Sequence, residues 1–307
     1  MEFKDVEEAH QKYKNKAIKI IGVSIIIGIV WLSLSIVGGT TSTFDIISMA
    51  FYIGIFMVVL FAILFFALTR KESQAYRSAY KAYFVEKNLQ KVFTNLKYNH
   101  ESGLSSAVLA ATRMVNTGDR YNSNDLTTGE YKDVAFTQAD VHIEEEYTDS
   151  DGDTHYSTIF KGRFMLFEFP KKFNFRLETV EKGFGANIVP RGKSQEGRKF
   201  EKIELESSEF NKIFKTYAED GFEAFYLLDP AFINNMLTLA EQYNGKLLLG
   251  FTDNMLLVGL KDGKDAFEPP SVFKKLDEKT ETEKISKDIS LVTNFVDTLK
   301  LNNKLFK

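Results

Sequence analysis

The sequence predicts an α+β protein. An N-terminal two-helix transmembrane hairpin precedes a cytoplasmic, mostly antiparallel β-sheet domain with a stalk helix, a helix near 230–243 and a C-terminal helix. Three observations predict this class. Two long uncharged apolar runs occupy the first quarter of the chain. From about residue 131 to 206 apolar side chains recur with period two, the period of a strand. Helical spacing then returns around 230–243 and near the C-terminus. Runs of strands followed by isolated helices argue α+β; a doubly wound fold would alternate strand and helix strictly.

The apolar runs come first. No charged residue lies from Ile20 to Phe44 or from Ile46 to Thr69, and only Asp45 separates them. Each exceeds the roughly 20 residues an α-helix needs to cross a bilayer core. A signal peptide has a shorter apolar part, and here a second run follows at once. The spans are placed at 18–37 and 46–69, with 1–17 as a cytoplasmic N-terminal segment. The short linker Gly38–Thr43 makes the pair an antiparallel hairpin. Lys4, Lys12, Lys14, Lys16 and Lys19 precede the first span; Arg70, Lys71, Arg77, Lys81, Lys87 and Lys91 follow the second. The connecting loop has no basic residue, so both termini are expected in the cytoplasm. Trp31 and Tyr52 suit the interfaces, while Ser24, Gly28, Ala50 and Gly54 have the small-residue spacing that permits close helix approach. Past Lys19 at the very start of the first, neither span carries an ionisable group, which favours an anchor over a transport pathway.

Composition narrows the functional classes. A net charge of −3 gives no global basic excess, so nucleic acid is not an expected partner; the lipid bilayer is. The chain has no cysteine, which excludes disulfides, thiolate zinc sites, iron–sulfur clusters and cysteine nucleophiles.

Beyond the spans, residues 70–98 read as a continuing stalk helix, and 99–307 as the α+β domain. A small-residue stretch, Ser105–Val115, predicts a short helix. The segment 118–125 is rich in turn formers and predicts a polar loop. Val134, Phe136, Val141 and Ile143 alternate with polar residues, and Asp149–Asp153 marks a turn. Ile159–Phe169 is dense in Phe and Leu, as in a central strand buried on both faces. Phe173, Phe175 and Leu177, then Ile203 and Leu205, continue the alternation. Two further strands are expected around Glu219-Asp220-Gly221. Asp229-Pro230 starts a helix with a capping aspartate and a proline in its first turn. Leu247–Phe251 and Leu256–Leu260 suggest a hairpin turning at Asp253-Asn254. Ile285, Ile289, Val292 and Val296 line the core face of a last helix over about 283–301.

Motifs that carry chemistry fail on inspection. Counted from Asp149, the sixth and twelfth positions of a calcium loop would be Thr154 and Phe160, so the EF-hand pattern is broken. Gly192-Lys193-Ser194 has Asn187 where a phosphate loop needs its first glycine, and Gly183-Phe184-Gly185 lacks a third glycine. The basic stretch Arg191, Lys193, Arg198, Lys199 reads as a solvated turn. No cofactor, metal ligand set or catalytic residue is assigned. Paired strands would bring His142 and His155 towards each other, with Glu144 nearby. These three, with Asp119, Arg120, Tyr121 and Asp125 from the polar loop, form the candidate interaction surface, because loops held on a rigid sheet commonly carry recognition.

Several segments together resemble a known family. They are Gly118–Tyr121 with Ser123–Leu126, Ala139–Ile143, Phe160–Phe164 with Phe169-Pro170, Glu209–Lys212, Ala224–Leu228 before Asp229-Pro230, and Phe267–Pro270. This set resembles DUF3137, a bacterial family of unknown function, over roughly residues 90–301. The resemblance implies a bacterial inner-membrane protein. It brings no activity, and it points to a LemA-like membrane protein as a partner. The sequence favours a membrane-anchored binding or scaffolding domain over a membrane-associated, hydrolase-like enzyme that uses Asp, Glu and His groups clustered by folding.

Overall fold

A computed structural model describes residues 1–39, 44–185, 200–303 and 306. The basic stretch 191–199, the Gly192-Lys193-Ser194 segment and linker residues 40–43 lie outside the described residues. The chain divides into two compact units, Met1–Val85 with Glu268–Thr282, and Glu86–Phe267 with Glu283–Lys307.

The first unit is built on α1 (Phe3–Gly39) and α2 (Phe44–Tyr80), each 37 residues and so about 55 Å long. They run antiparallel. Phe3 lies against Phe84 (6.0 Å between ring centres), His10 against Tyr76 (5.1 Å), and Lys16 Nζ is 2.8 Å from Glu72 Oε2. Gly54 is the small residue that permits close approach: a Cβ there would meet the Trp31 ring at 3.0 Å. The large apolar side chains of both runs stay exposed, Ile26 by 63% and Phe66 by 73%. Water does not tolerate an apolar surface of that extent, and hydrocarbon does. Ser24, Ser33 and Thr69 each donate to the carbonyl four residues back, which satisfies their hydroxyls without water. By length and composition both helices are apolar enough to cross a membrane. Residues 268–282 complete this unit. Glu268 sits between Arg77 (2.8 Å) and buried Lys81 (3.0 Å), and the Tyr80 hydroxyl donates to Glu281 at 2.6 Å.

The helical stretch expected over 70–98 stops earlier. After Tyr80 come a π-helical turn, Lys81–Glu86, and α3 (Lys87–Val92); residues beyond it form strand β1 (Thr94–Asn99).

The second unit is an open antiparallel sheet of seven strands. After β1 come α4 (Ser106–Ala111), β2 (Arg120–Tyr131), β3 (Val134–Thr148), β4 (Thr154–Glu181), β5 (Glu201–Ile203), α5 (Ser208–Ile213) and β6 (Phe214–Ala218). Then follow α6 (Gly221–Leu227), α7 (Pro230–Gln242), β7 (Lys246–Lys261) and α8 (Glu278–Thr298). The order is β1-β2-β3-β4-β6-β5, and β7 lies along the other edge of β4. At 28 residues β4 is the spine. One of its edges takes β3 and then β6; the other takes β7 along most of its length. Ile159–Phe169 is therefore the buried central strand its composition predicted.

Three local expectations are corrected. Residues 120–125 form the start of β2, not a loop, because 120–124 pair with 140–144 of β3. Phe222–Leu227 is helical, since Asp220 caps it by accepting from the amides of Phe222 (2.9 Å) and Glu223 (3.2 Å). No hairpin turns at Asp253. Both halves of β7 pair with the same strand, and Asp253, with φ 48°, is an irregularity within it. The tight hairpin lies instead at Lys132-Asp133, whose φ values of 49° and 64° match a two-residue type I′ turn.

One sheet face carries Val141, Ile143, Phe160, Phe164 and Leu257, packed with Leu109 and Met114 from the α4 region. On the other face α8 buries Ile289, Val292, Phe295 and Val296, and Tyr243 stacks on Phe295 at 5.7 Å.

Gly162 sets how β4 meets β7. Its φ is 152°, and a Cβ would stand 2.0 Å from the Leu260 carbonyl oxygen. Gly162→Ala is expected to destabilise the sheet unit by about 3 kcal/mol, measured by denaturant unfolding of the full chain in micelles.

Candidate functional site

Even-numbered positions of β3 define one sheet face that changes character along its length: Phe136, Gln138, Asp140, His142, Glu144, Glu146. Phe136, Gln138 and Asp140 are buried; Glu146 is exposed. Successive parts of that face hold a buried polar cluster and an exposed polar lattice.

Asp140 and Arg163 are register partners at the centre of the buried part. Arg163 Nε is 3.4 Å from Asp140 Oδ1, and its Nη1 donates to the Asp288 carbonyl of α8 at 2.7 Å. The other oxygen of Asp140 accepts from the Ala266 amide at 2.7 Å. The pair thus ties two strands, the loop after β7 and α8 together. The Arg163 guanidinium also lies 5.1 Å from the Phe267 ring. Asp125 joins from β2. A bulge between Asn124 and Thr127 puts it at φ 58°, which aspartate tolerates, and aims its carboxylate inwards. There it accepts from the Tyr98 hydroxyl (2.5 Å) and from Asn124 Nδ2 (2.8 Å). Asn124 also donates to Asp265 at 3.2 Å. Burial pushes the Asp140 carboxyl up to about 8; Arg163 opposes this, and Asp265 and Asp125 add to it.

In the exposed part, the Arg120 guanidinium lies 3.2 Å over the Tyr156 ring, and the Tyr156 hydroxyl donates to Glu146 at 2.7 Å. That bond holds the Tyr156 phenol above its usual range. His142 Nε2 is 3.0 Å from the Thr158 hydroxyl and 3.9 Å from Glu144. Arg120 pairs with Glu144 across β2 and β3. Asp119 closes the end of the lattice by accepting from the Glu146 amide at 2.8 Å.

The structure therefore brings Asp119, Arg120, His142 and Glu144 together and separates the rest. Tyr121 points to the opposite face, where its hydroxyl donates to the Leu104 carbonyl at 2.7 Å and burial raises it to about 12. Asp125 is in the buried cluster. His142 and His155 do not meet: His142 faces Lys161 and His155 faces Tyr147, five strand residues on and so about 17 Å away. His155 instead bonds Asp149 at 2.7 Å in the β3–β4 turn. Asp149 also accepts from the amides of Asp151 and Asp153 at 3.0 Å each, so this carboxylate is spent closing its own turn. The His155 bond, followed by those amides, holds it below its usual range.

Asp140, Arg163 and the partners Tyr156 and Thr158 were not candidates from sequence. A signal existed for the first two, since each is a charged residue set between apolar neighbours in mid-strand.

This is an α+β protein with two helices long and apolar enough to cross a membrane and an open antiparallel sheet built on the long strand β4. Residues 158–301 match the family described as "Protein of unknown function (DUF3137)". Arg163 and Phe267 lie inside the matched span; Asp125 and Asp140 precede it. None of the curated proteins matches. Among solved structures, the chain is similar to the mycobacterial trehalose monomycolate transport factor A, TtfA. The identity is 10%, with a TM-score of 0.35 over 73% of this chain and 95% of that one, a likeness too slight to carry a functional argument.

The raised Asp140 carboxyl makes stability pH-dependent. Its folded value of about 8 lies above the ordinary 3.8, so folding favours the protonated form. Its contribution is most favourable below 3.8 and is lost as pH climbs through about 8. Asp140→Asn keeps an acceptor for the Ala266 amide and removes the titration. Its melting temperature is expected to fall less than that of the native chain between about pH 6 and about pH 9, followed by circular dichroism.

Proposed function

We propose that this chain is a membrane-anchored binding or scaffolding protein. Its two spans hold the sheet unit at the cytoplasmic face of a bacterial inner membrane, and the exposed lattice around Arg120, His142, Glu144 and Tyr156 takes a partner of the same membrane. The orientation rests on the eleven basic residues flanking the spans and their absence from the connecting loop. The observation that carries the binding role is the pre-organisation of the lattice. Arg120, Glu146 and Tyr156 restrain one another, and His142 is held by Thr158. Side chains already fixed lose little freedom when a partner arrives. The lattice offers both charge signs and an aromatic ring, a set suited to a polar protein surface. A photo-crosslinking residue at Thr158, in native membranes, is expected to give one discrete adduct that Arg120→Ala with Tyr156→Ala abolishes. A diffuse ladder, or an adduct indifferent to those substitutions, would falsify the reading.

A hydrolase-like enzyme is the second reading, favoured by Asp140. A carboxyl raised to about 8 beside two further aspartates has the character of a general acid. Such a group must be reachable by substrate and water. Carbodiimide coupling of a small amine, read by mass spectrometry, is expected to leave Asp140 unmodified in the folded chain; efficient coupling would favour the enzyme.

A further inference from the structure

The helix α6 shows its solvent face in aromatic side chains. Phe222, Phe225 and Tyr226 stand at i, i+3 and i+4 and are 82%, 47% and 63% exposed. The opposite side, Ala224 and Leu227, is buried and fixes the helix to the sheet unit. Beside Tyr226 runs a cleft whose other wall is the irregular stretch of β4 at Lys171 and Lys172. The Lys171 ammonium lies 5.9 Å from the rings of both Phe173 and Tyr226.

Lys171 and Lys172 face Glu219, Asp220 and Glu223 across the cleft. Glu219 accepts from the Arg176 amide at 3.1 Å, and Asp220 is the cap of α6. The two lysines are the cations beside the aromatic row. Soluble surfaces seldom gather large aromatic side chains in this way without a partner. Phe and Tyr side chains flanked by lysines match the headgroup region of a bilayer, where rings sit at the acyl boundary and ammonium groups meet phosphates. A bilayer is also always at hand, because the spans tether this unit to one and so raise its effective concentration.

We propose that α6 is a second membrane contact, in which Phe222, Phe225 and Tyr226 enter the interface of a lipid leaflet and Lys171 and Lys172 engage its phosphates. The proposal rests on reading the chain as a membrane protein and is independent of the lattice on β2–β4.

The chain has no cysteine, so a single spin label is unambiguous. The full chain carrying Glu223→Cys is labelled and reconstituted into phosphatidylcholine–phosphatidylglycerol vesicles. Collisions of the label with dissolved oxygen and with a water-soluble nickel chelate are then compared. The expected result is a nickel collision rate several-fold below that of a label at Asp151→Cys, restored by Phe222→Ser, Phe225→Ser and Tyr226→Ser together. These three side chains are exposed, so the triple variant keeps the fold. A label at Val58→Cys in α2 reports insertion of the spans separately, and its protection shows that a failure at α6 is not a failure of the anchor. The proposal is overturned if the label at 223 is as open to nickel as that at 151. Protection found in native membranes but not in pure lipid also overturns it, since a protein then supplies the cover.

Discussion

Every strand of the central sheet takes its place from β4 directly or through one that does, because β4 is hydrogen-bonded along both edges. A strand in that position has no freedom of register. Shifting it by one residue would carry Arg163 into the cluster of Phe160, Phe164 and Leu257 and turn Phe164 towards Asp140. An unpaired guanidinium in an apolar core is among the costliest errors a fold can make. The Asp140–Arg163 pair therefore contributes most as a selector of one alignment, since buried ion pairs give little net stability over apolar residues of similar volume. Gly162 belongs to the same constraint, as the close approach of β7 leaves no room for a side chain there.

Much of this was legible from residue order. The uncharged runs fixed the two long helices, since length and polarity alone decide what crosses hydrocarbon. Period-two alternation located β3 and the buried part of β4, and Asp229-Pro230 located the start of α7 to the residue. Where local chemistry and pairing disagreed, pairing won. Residues 120–125 are rich in Asn, Asp and Ser and prefer turns when isolated, yet they are held extended by β3. Asp253-Asn254 has the character of a turn, but two separated stretches of one partner strand keep the chain running on. The stretch 222–227 has the aromatic content of a strand; a side-chain cap from Asp220 made it a helix.

The candidate residues fared according to distance along the chain. Neighbours two apart on a strand share a face by geometry, so His142 and Glu144 lie together. Arg120 joined them through a register that sequence does not specify. His155 parted from His142 for the same reason, because the length of the β3–β4 hairpin separates them. The buried cluster required four separated segments to converge, and no local pattern encodes that. Its members nonetheless belong to the segments that resemble the family: Asp125, Asp140, Arg163 and Phe267. Residues of this kind specify a fold's geometry as readily as an activity.

The helical unit is not contiguous. Its last piece, residues 268–282, follows the whole of β1–β7. The carboxylates that meet Arg77, Lys81 and Tyr80 therefore emerge from the ribosome about 190–200 residues after those groups, about 10–40 s later at ordinary elongation speeds. The order of synthesis thus makes completion of this helical unit a late step, one that can follow only after every strand of the sheet has been synthesised.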